Sequence, residues 1–157
     1  MAARIDLLWP GAIREEFARV AQVKYLGLLR RYATVEVREI KPPRALANAT
    51  PERYIDREDD LLAAALKPGD HPVLLDPAGR ELDSIALSRM LGAIFLSSRR
   101  PVFVICGPHG AGPRVRAKAA ASLSLSRLTL AHDLARVVLL EQLYRALDLL
   151  NGGPYHK

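Results

Sequence analysis

Short apolar runs alternate with stretches of helical period along almost the whole chain. That alternation limits the fold more than any other feature. Ile5 to Trp9 is an apolar run stopped by Pro10-Gly11 and predicts a first strand. From Ile13 through Phe17, Val20, Ala21 and Leu28 to Tyr32, apolar residues recur near helical spacing opposite Arg14, Glu15 and Glu16. Thr34 to Ile40 then alternates, with Val35 and Val37 on one face and Glu36 and Arg38 on the other. Thr50 and Pro51 have the chemistry of an N-cap and first helical residue, and predict a helix to about Leu66.

The pattern repeats in the second half. Pro72 to Asp76 reads as a buried strand turned by Pro77-Ala78-Gly79. Asp83 or Ser84 caps a helix through Phe95, closed by Ser97 to Arg100, and Pro101 to Cys106 is another buried strand. A short helix follows over Arg114 to Ala121. Ser122 to Leu130 alternates small polar residues with leucine and has the look of an edge strand. Asp133 opens a long helix from about Leu134 to Leu150, ended by Gly152-Gly153-Pro154. Strands separated by helices predict an α/β fold with a mostly parallel sheet flanked by helices. Residues 1–157 are of a size for one domain.

The last helix, with Val137, Val138, Leu139, Leu140, Leu143, Leu147 and Leu150, has almost no polar face. A helix apolar nearly all round is buried nearly all round. In a chain this small, one side is expected on the sheet and the other on a second copy, so the helix predicts a homodimer.

Charge and cysteine content narrow the classes. Lys and Arg number 23 against 17 acids, a net +6, which suits a polyanionic partner without demanding one. One cysteine forms no internal disulfide and fits a reducing cytoplasm. No apolar run has the length of a membrane span, and MAARIDLLWPG does not read as a signal peptide. The stretch from Lys41-Pro42-Pro43-Arg44 to Thr50-Pro51 is a basic loop, either a plain connection or a segment that closes on a ligand. Asp56, Glu58, Asp59 and Asp60 match no metal loop and read as a solvated helix face.

The most informative stretch is VFVICGPHGAGPR, Val102 to Arg114. A cysteine-nucleophile phosphate loop needs five residues between Cys and Arg, and seven stand between Cys106 and Arg114. A buried small hydrophobe at a strand end is the commoner role of such a cysteine. A P-loop requires Lys-Ser/Thr where Pro113-Arg114 stands, and the glycine order is wrong for a dinucleotide fingerprint. What remains is a glycine-rich loop after a buried strand, either a ligand's main-chain seat or a set of tight turns.

FVICGPHG (Phe103 to Gly110), SLSRLTLAHDLARVVLLEQLYRA (Ser124 to Ala146) and GGPYHK (Gly152 to Lys157) resemble the ribosomal RNA large subunit methyltransferase H family, within the SPOUT superfamily of α/β-knot methyltransferases. The resemblance implies a C-terminal deep trefoil knot, a cytoplasmic homodimer and S-adenosylmethionine as cofactor. It implies methyl transfer to N3 of a pseudouridine in large-subunit (23S) rRNA on the assembled ribosome. By the same resemblance, Leu75 packs on the adenosine, the loop from Cys106-Gly107 lines its other side, and Leu125, Ser126, Arg127, Leu128, Thr129 and Leu130 supply backbone groups and an apolar bed. His132, His156 or a held water accepts the N3 proton, and Tyr155, His156 and Lys157 position substrate. His132 as a mere cap and a frayed tail are the plain alternatives. Arg136 and Arg145 either pair with acids or meet phosphate, with structural pairing favoured for Arg145. The family usually reads Gly-Gly where Cys106-Gly107 stands, and an acidic residue is common at His109. Two other functions remain open: a knotted RNA-binding dimer without transfer, and a methyltransferase of another RNA such as tRNA. The basic Lys41 to Arg44 stretch and Arg99-Arg100 serve either substrate.

Overall fold

The structure, a computed structural model, describes residues 3–44 and 50–157. The middle of the basic loop, residues 45–49, and the first two residues lie outside the described residues. Five strands, β1 (Ala3–Pro10), β2 (Ala33–Ile40), β3 (Asp70–Glu81), β4 (Arg100–Ile105) and β5 (Ala121–Ser124), form one sheet in the order β2-β1-β4-β3-β5. All pairings are parallel. Helices α1 (Glu16–Leu29), α3 (Ser84–Leu96) and α5 (His132–Leu150) cover one face, while α2 (Pro51–Ala65) and α4 (Pro113–Lys118) cover the other. The expected α/β layering is present.

The period-2 geometry of β1 sets both cores. Ile5, Leu7 and Trp9 pack with Val73, Phe103, Leu139, Leu140 and Leu143. Leu8 points the other way, to Leu62, Leu74, Val104 and Cys106. Farther along that second face, Asp6 and Asp70 are buried and ion-paired with Arg38 and Arg100 across the strands. Arg100 is therefore occupied and not a free phosphate contact, whereas Arg99 is exposed.

Several boundaries differ from the sequence expectation. The first helix starts at Glu16, and its buried residues are Ala18 and Leu29. Phe17 and Val20, read as core, are 55% and 65% exposed. Apolar residues occupy so much of this helix that spacing alone does not choose the inward stripe. The turn expected at Pro77 to Gly79 is an irregularity inside β3, whose pairing with β5 shifts between Leu75 and Arg80. The short fourth helix stops at Lys118, and the Ser122–Leu130 alternation is strand only as far as Ser124. Both expected caps are present: Thr50 Oγ1 accepts from the Arg53 amide and Asp83 from the Ala86 amide.

The largest correction concerns the acidic cluster. Glu58 and Asp59 are 3% and 2% exposed, and only Asp56 and Asp60 remain outside. The two buried carboxylates meet the glycine-rich loop, for reasons given below. Among the described residues no cluster of three metal-ligating side chains occurs, and no helix is long and apolar enough to cross a membrane.

Candidate methyl-donor and substrate clefts

Two adjoining clefts open at the carboxyl ends of β1 and β4 and beside the irregular middle of β3, the edge where an open parallel sheet habitually receives ligands. The first encloses about 770 Å³ including its mouth, within the range of small-molecule sites. Three separate segments wall it: Leu75 to Pro77, Ile105 to Pro108 with Gly110, and Leu125 to Leu130. His132 and Ala135, at the start of α5, close one end. Leu75, Ile105, Leu125, Leu128 and Leu130 give it an apolar part.

Leu75, Cys106, Gly107, Leu125, Ser126, Leu128, Thr129, Leu130 and His132 thus line one cavity, as named from the sequence. Arg127 does not; its side chain is exposed and pairs with Glu81. After β5 the chain bends tightly, with Ser126 Oγ accepting from the Leu128 amide at 3.0 Å and Ser124 Oγ donating to the Ser126 carbonyl at 3.1 Å. Asp76, Pro77, Ile105, Pro108 and Gly110 also line the cleft and were not singled out by the sequence. Their signal was adjacency to the motifs.

The second cleft encloses about 1020 Å³ and is lined by Arg14, Tyr54, Asp133 and Arg136 among others. Gly107, Pro108 and His132 border both clefts. Burial lowers the His132 pKa, helped by the Arg136 charge against the opposing pull of Asp133. Its imidazole is thereby kept neutral at neutral pH. Arg136 is itself structural: its guanidinium donates to the Pro10 carbonyl at 2.6 Å and the Gly11 carbonyl at 3.2 Å, and lies 5.0 Å from the Trp9 ring centre.

Helix α2 holds the glycine-rich loop from below. The Gly107 amide donates to Glu58 Oε1 at 2.6 Å. The Arg114 and Val115 amides donate to Asp59 at 2.8 and 2.9 Å, which caps α4. Between them, the Tyr54 and His109 rings meet edge-on at 5.5 Å. A Cβ at Gly107 would stand 2.3 Å from Glu58 Oε2, and one at Gly112 would stand 2.4 Å from Asp59 Cγ. A side chain at either glycine would push its carboxylate out of place.

Cys106 sits one residue earlier with its side chain in the α2-side core, 7% exposed. Among the described non-glycine residues only Ser98 has a positive φ, so cysteine carries no backbone strain here. Burial pushes its thiol up to about 12, and the charges of Glu58 and Asp59 add to this. It behaves as the buried hydrophobe, not as a nucleophile.

The tail is ordered away from both clefts. The Tyr155 amide donates to Asp148 Oδ2 at 2.8 Å, and its ring meets Tyr144 edge-on and lies under the Arg145 guanidinium at 4.6 Å. Tyr155 Oη lies 3.1 Å from Glu141 Oε1, the same oxygen that pairs with Arg145. Arg145 is thus structurally paired, as expected. Tyr155, His156 and Lys157 border neither cleft in their own chain. His132 and Glu141 are nine residues apart on α5, about 13.5 Å along the helix axis.

A parallel sheet with paired clefts at its carboxyl edge belongs to a known class. Residues 3–156 match the family model described as "Predicted SPOUT methyltransferase". A tRNA (m1G37) methyltransferase from Aquifex aeolicus shares the fold with a TM-score of 0.57 at 15% identity, over 98% of this chain and 75% of that one. Relatives named ribosomal RNA large subunit methyltransferase H are 40% identical over 153 residues in Gloeobacter violaceus, 40% over 159 in Geobacter sp. strain M21 and 35% over 154 in Bacteroides fragilis strain YCH46. Each alignment covers 98% of both chains. The chain belongs to the ribosomal RNA large subunit methyltransferase H family of SPOUT methyltransferases.

Proposed function

We propose that this protein uses S-adenosylmethionine to methylate N3 of a pseudouridine in large-subunit rRNA on the assembled ribosome, as a cytoplasmic homodimer of one-domain, knotted chains. The observation that carries this reading is the strip Gly107, Pro108 and His132, which separates an apolar cleft from a more polar one. A donor and an acceptor seated on either side would meet across it.

The residues present fit the donor. Leu75, Ile105, Leu125 and Leu128 offer apolar walls for an adenosine, and the bend at 126–130, outside the regular elements, offers main-chain groups to its edge. When bound, that cofactor supplies an electrophilic methyl group on a cationic sulfur. The protein's own tasks are to hold the target base, exclude water and remove the N3 proton. His132, neutral and at the boundary, suits the last task. Tyr54 and Arg14 in the second cleft suit a nucleotide, one by its ring and the other by its charge.

The tail takes its part across the dimer. Tyr155 docks beside Glu141, and Tyr155, His156 and Lys157, which border neither cleft of their own chain, would serve the partner copy's. The exposed Phe17, Val20 and Val23 of α1 and Leu134 of α5 support a self-association surface that includes the C-terminal helix. The return of α5 to pack between α1 and α3, after β5 at the far sheet edge, is consistent with the trefoil knot. The test is transfer of radiolabelled methyl to ribosomes lacking the modification. Label at N3 of one large-subunit pseudouridine supports the reading. Label only on tRNA, or RNA binding without label, replaces it.

A further inference from the structure

The buried carboxylate behind the shared wall has no evident structural need for its charge. Glu58 forms no ion pair among the described residues. Its Oε1 accepts the Gly107 amide, while Oε2 is buried without a hydrogen bond of normal geometry, the Tyr54 hydroxyl being its polar neighbour. A glutamine would satisfy the same amide. A carboxyl so far from water either takes a proton or, when ionised, is stabilised by a nearby positive charge.

The position of Glu58 indicates where that charge comes from. Gly107 borders both clefts, and Glu58 Oε2 lies so close to it that a Cβ there would be only 2.3 Å away. If methyl transfer crosses the strip, the reacting sulfur lies beside Gly107. It carries a positive charge before transfer and none after. The attraction between a carboxylate and a cation a few ångströms apart, in a partly water-excluded site, acts on the first state only.

We propose that Glu58 is a specificity-determining residue of the donor cleft, its unpaired buried carboxylate behind Gly107 favouring a ligand with a sulfonium centre over the neutral thioether that transfer leaves behind. This rests on the methyl-donor reading of the cleft. It gives the protein a means of releasing product without a moving part. The preference requires the ionised form. Burial pushes the Glu58 carboxyl up, opposed by the Gly107 amide, the Tyr54 hydroxyl and His109. The other titratable groups near it are Cys106 of the loop and its neighbour Asp59. The preference therefore weakens as the solution is acidified, sooner than for an ordinary glutamate.

The experiment is calorimetric binding of S-adenosylmethionine and S-adenosylhomocysteine to the full-length protein and to Glu58→Gln, from pH 8 to pH 5. Both ligands share the adenosine and the amino-acid end, so the ratio of their dissociation constants isolates the charge on sulfur. Expected is a fall in the preference for the sulfonium on the order of tenfold in Glu58→Gln, chiefly through weaker S-adenosylmethionine binding. In the unsubstituted protein the ratio falls on acidification, and in the variant the fall is smaller. His109 acts on Glu58 through its charge, so the comparison is repeated in the His109→Gln background. An equal change in both affinities, or a pH-independent ratio, overturns the inference and leaves the methyltransferase reading intact. Failure of the unsubstituted protein to bind either ligand overturns both. Should Glu58→Gln not fold, the same pH series on His109→Gln, which keeps the carboxylate and removes the imidazole, decides.

Discussion

The amide of Tyr155 donates a hydrogen bond to Asp148, seven residues earlier, at 2.8 Å. The other Asp148 oxygen accepts from Tyr32 Oη at 2.7 Å, so one buried carboxylate ties the tail to α5 and to the end of the α1 segment. Asp148→Ala is expected to destabilise the protein by about 1–3 kcal/mol, the usual consequence of orphaning buried partners. Denaturant titration measures this. The proposed role of the tail adds a second expectation: kcat falls further than the change in folded fraction explains. Unchanged kcat in fully folded variant would place the tail outside catalysis.

Alkaline stability should reveal the same cluster. The hydrogen bond to Asp148, then burial, raises the Tyr32 pKa above 10.0. Burial, then Glu141, pushes Tyr155 up to about 12. Groups with raised folded-state values contribute stability that is complete below the unfolded value and lost as pH rises through the folded one. Stability is expected to decline above about pH 10, and less so in Tyr32→Phe. A parallel decline in both proteins would remove Tyr32 from the explanation.

The acid limb depends on Asp133. Its Oδ2 accepts from the Arg14 and Glu15 amides at 2.9 and 2.8 Å, joining the approach to α1 with the start of α5. Burial raises its pKa, but those two amides and the Arg136 charge outweigh this, and the net direction is down. Its contribution is present above the ordinary aspartate value and lost as pH falls through the depressed one. Asp133→Asn should therefore be less stable near neutrality and show a flatter loss of denaturant midpoint below pH 4.

His132→Gln is expected to lower kcat by about 10²–10⁴-fold, the usual effect of removing a general base. The unsubstituted enzyme should keep its rate as pH falls to about 6.5 and lose it only further down, because burial keeps the basic form dominant to a lower pH than in free histidine. A variant that retains the acid limb of the profile moves the base to another group.

Cys106 should resist thiol reagents in the folded protein at pH 8, reacting on the order of a thousandfold more slowly than in denaturant. Burial in the α2-side core and the raised thiol pKa both act in that direction. Rapid labelling of the folded protein would contradict the packing of the Cys106 side chain.

Val20→Asp tests self-association. Val20 is 65% exposed in the single chain, so an aspartate there leaves the fold's stability nearly unchanged. Buried in a subunit interface, the same charge would split the dimer. Sedimentation equilibrium of the two proteins distinguishes these cases, and an unaltered mass places the interface elsewhere.

Much of this molecule is legible in its sequence because the signals are local. The caps at Thr50 and Asp83, the alternation of Thr34 to Ile40 and the apolar runs ending at Leu75 and Ile105 each depend on neighbours a few residues away. The motif resemblance brought Leu75, Gly107 and Leu125 into one proposed site, and all three line the first cleft. Reading the inward face of α1 succeeded at Leu28 and failed at Phe17 and Val20, which are as apolar as the residues that became core.

By itself the sequence determined the alternation of strands and helices, the glycine-rich loop and the family to which its motifs point. These follow from backbone propensity, hydrophobic period and short spacings. Only the tertiary structure decided that Glu58 and Asp59, two acids in a charged run, lie buried beneath a loop 49 to 56 residues away. Charge on a helix normally predicts a wet face. Here the main-chain amides of Gly107, Arg114 and Val115 replace the lost water, and such partners leave no trace in local sequence. Asp148, held by Tyr32 from 116 residues away, turned the tail toward itself and away from its own clefts.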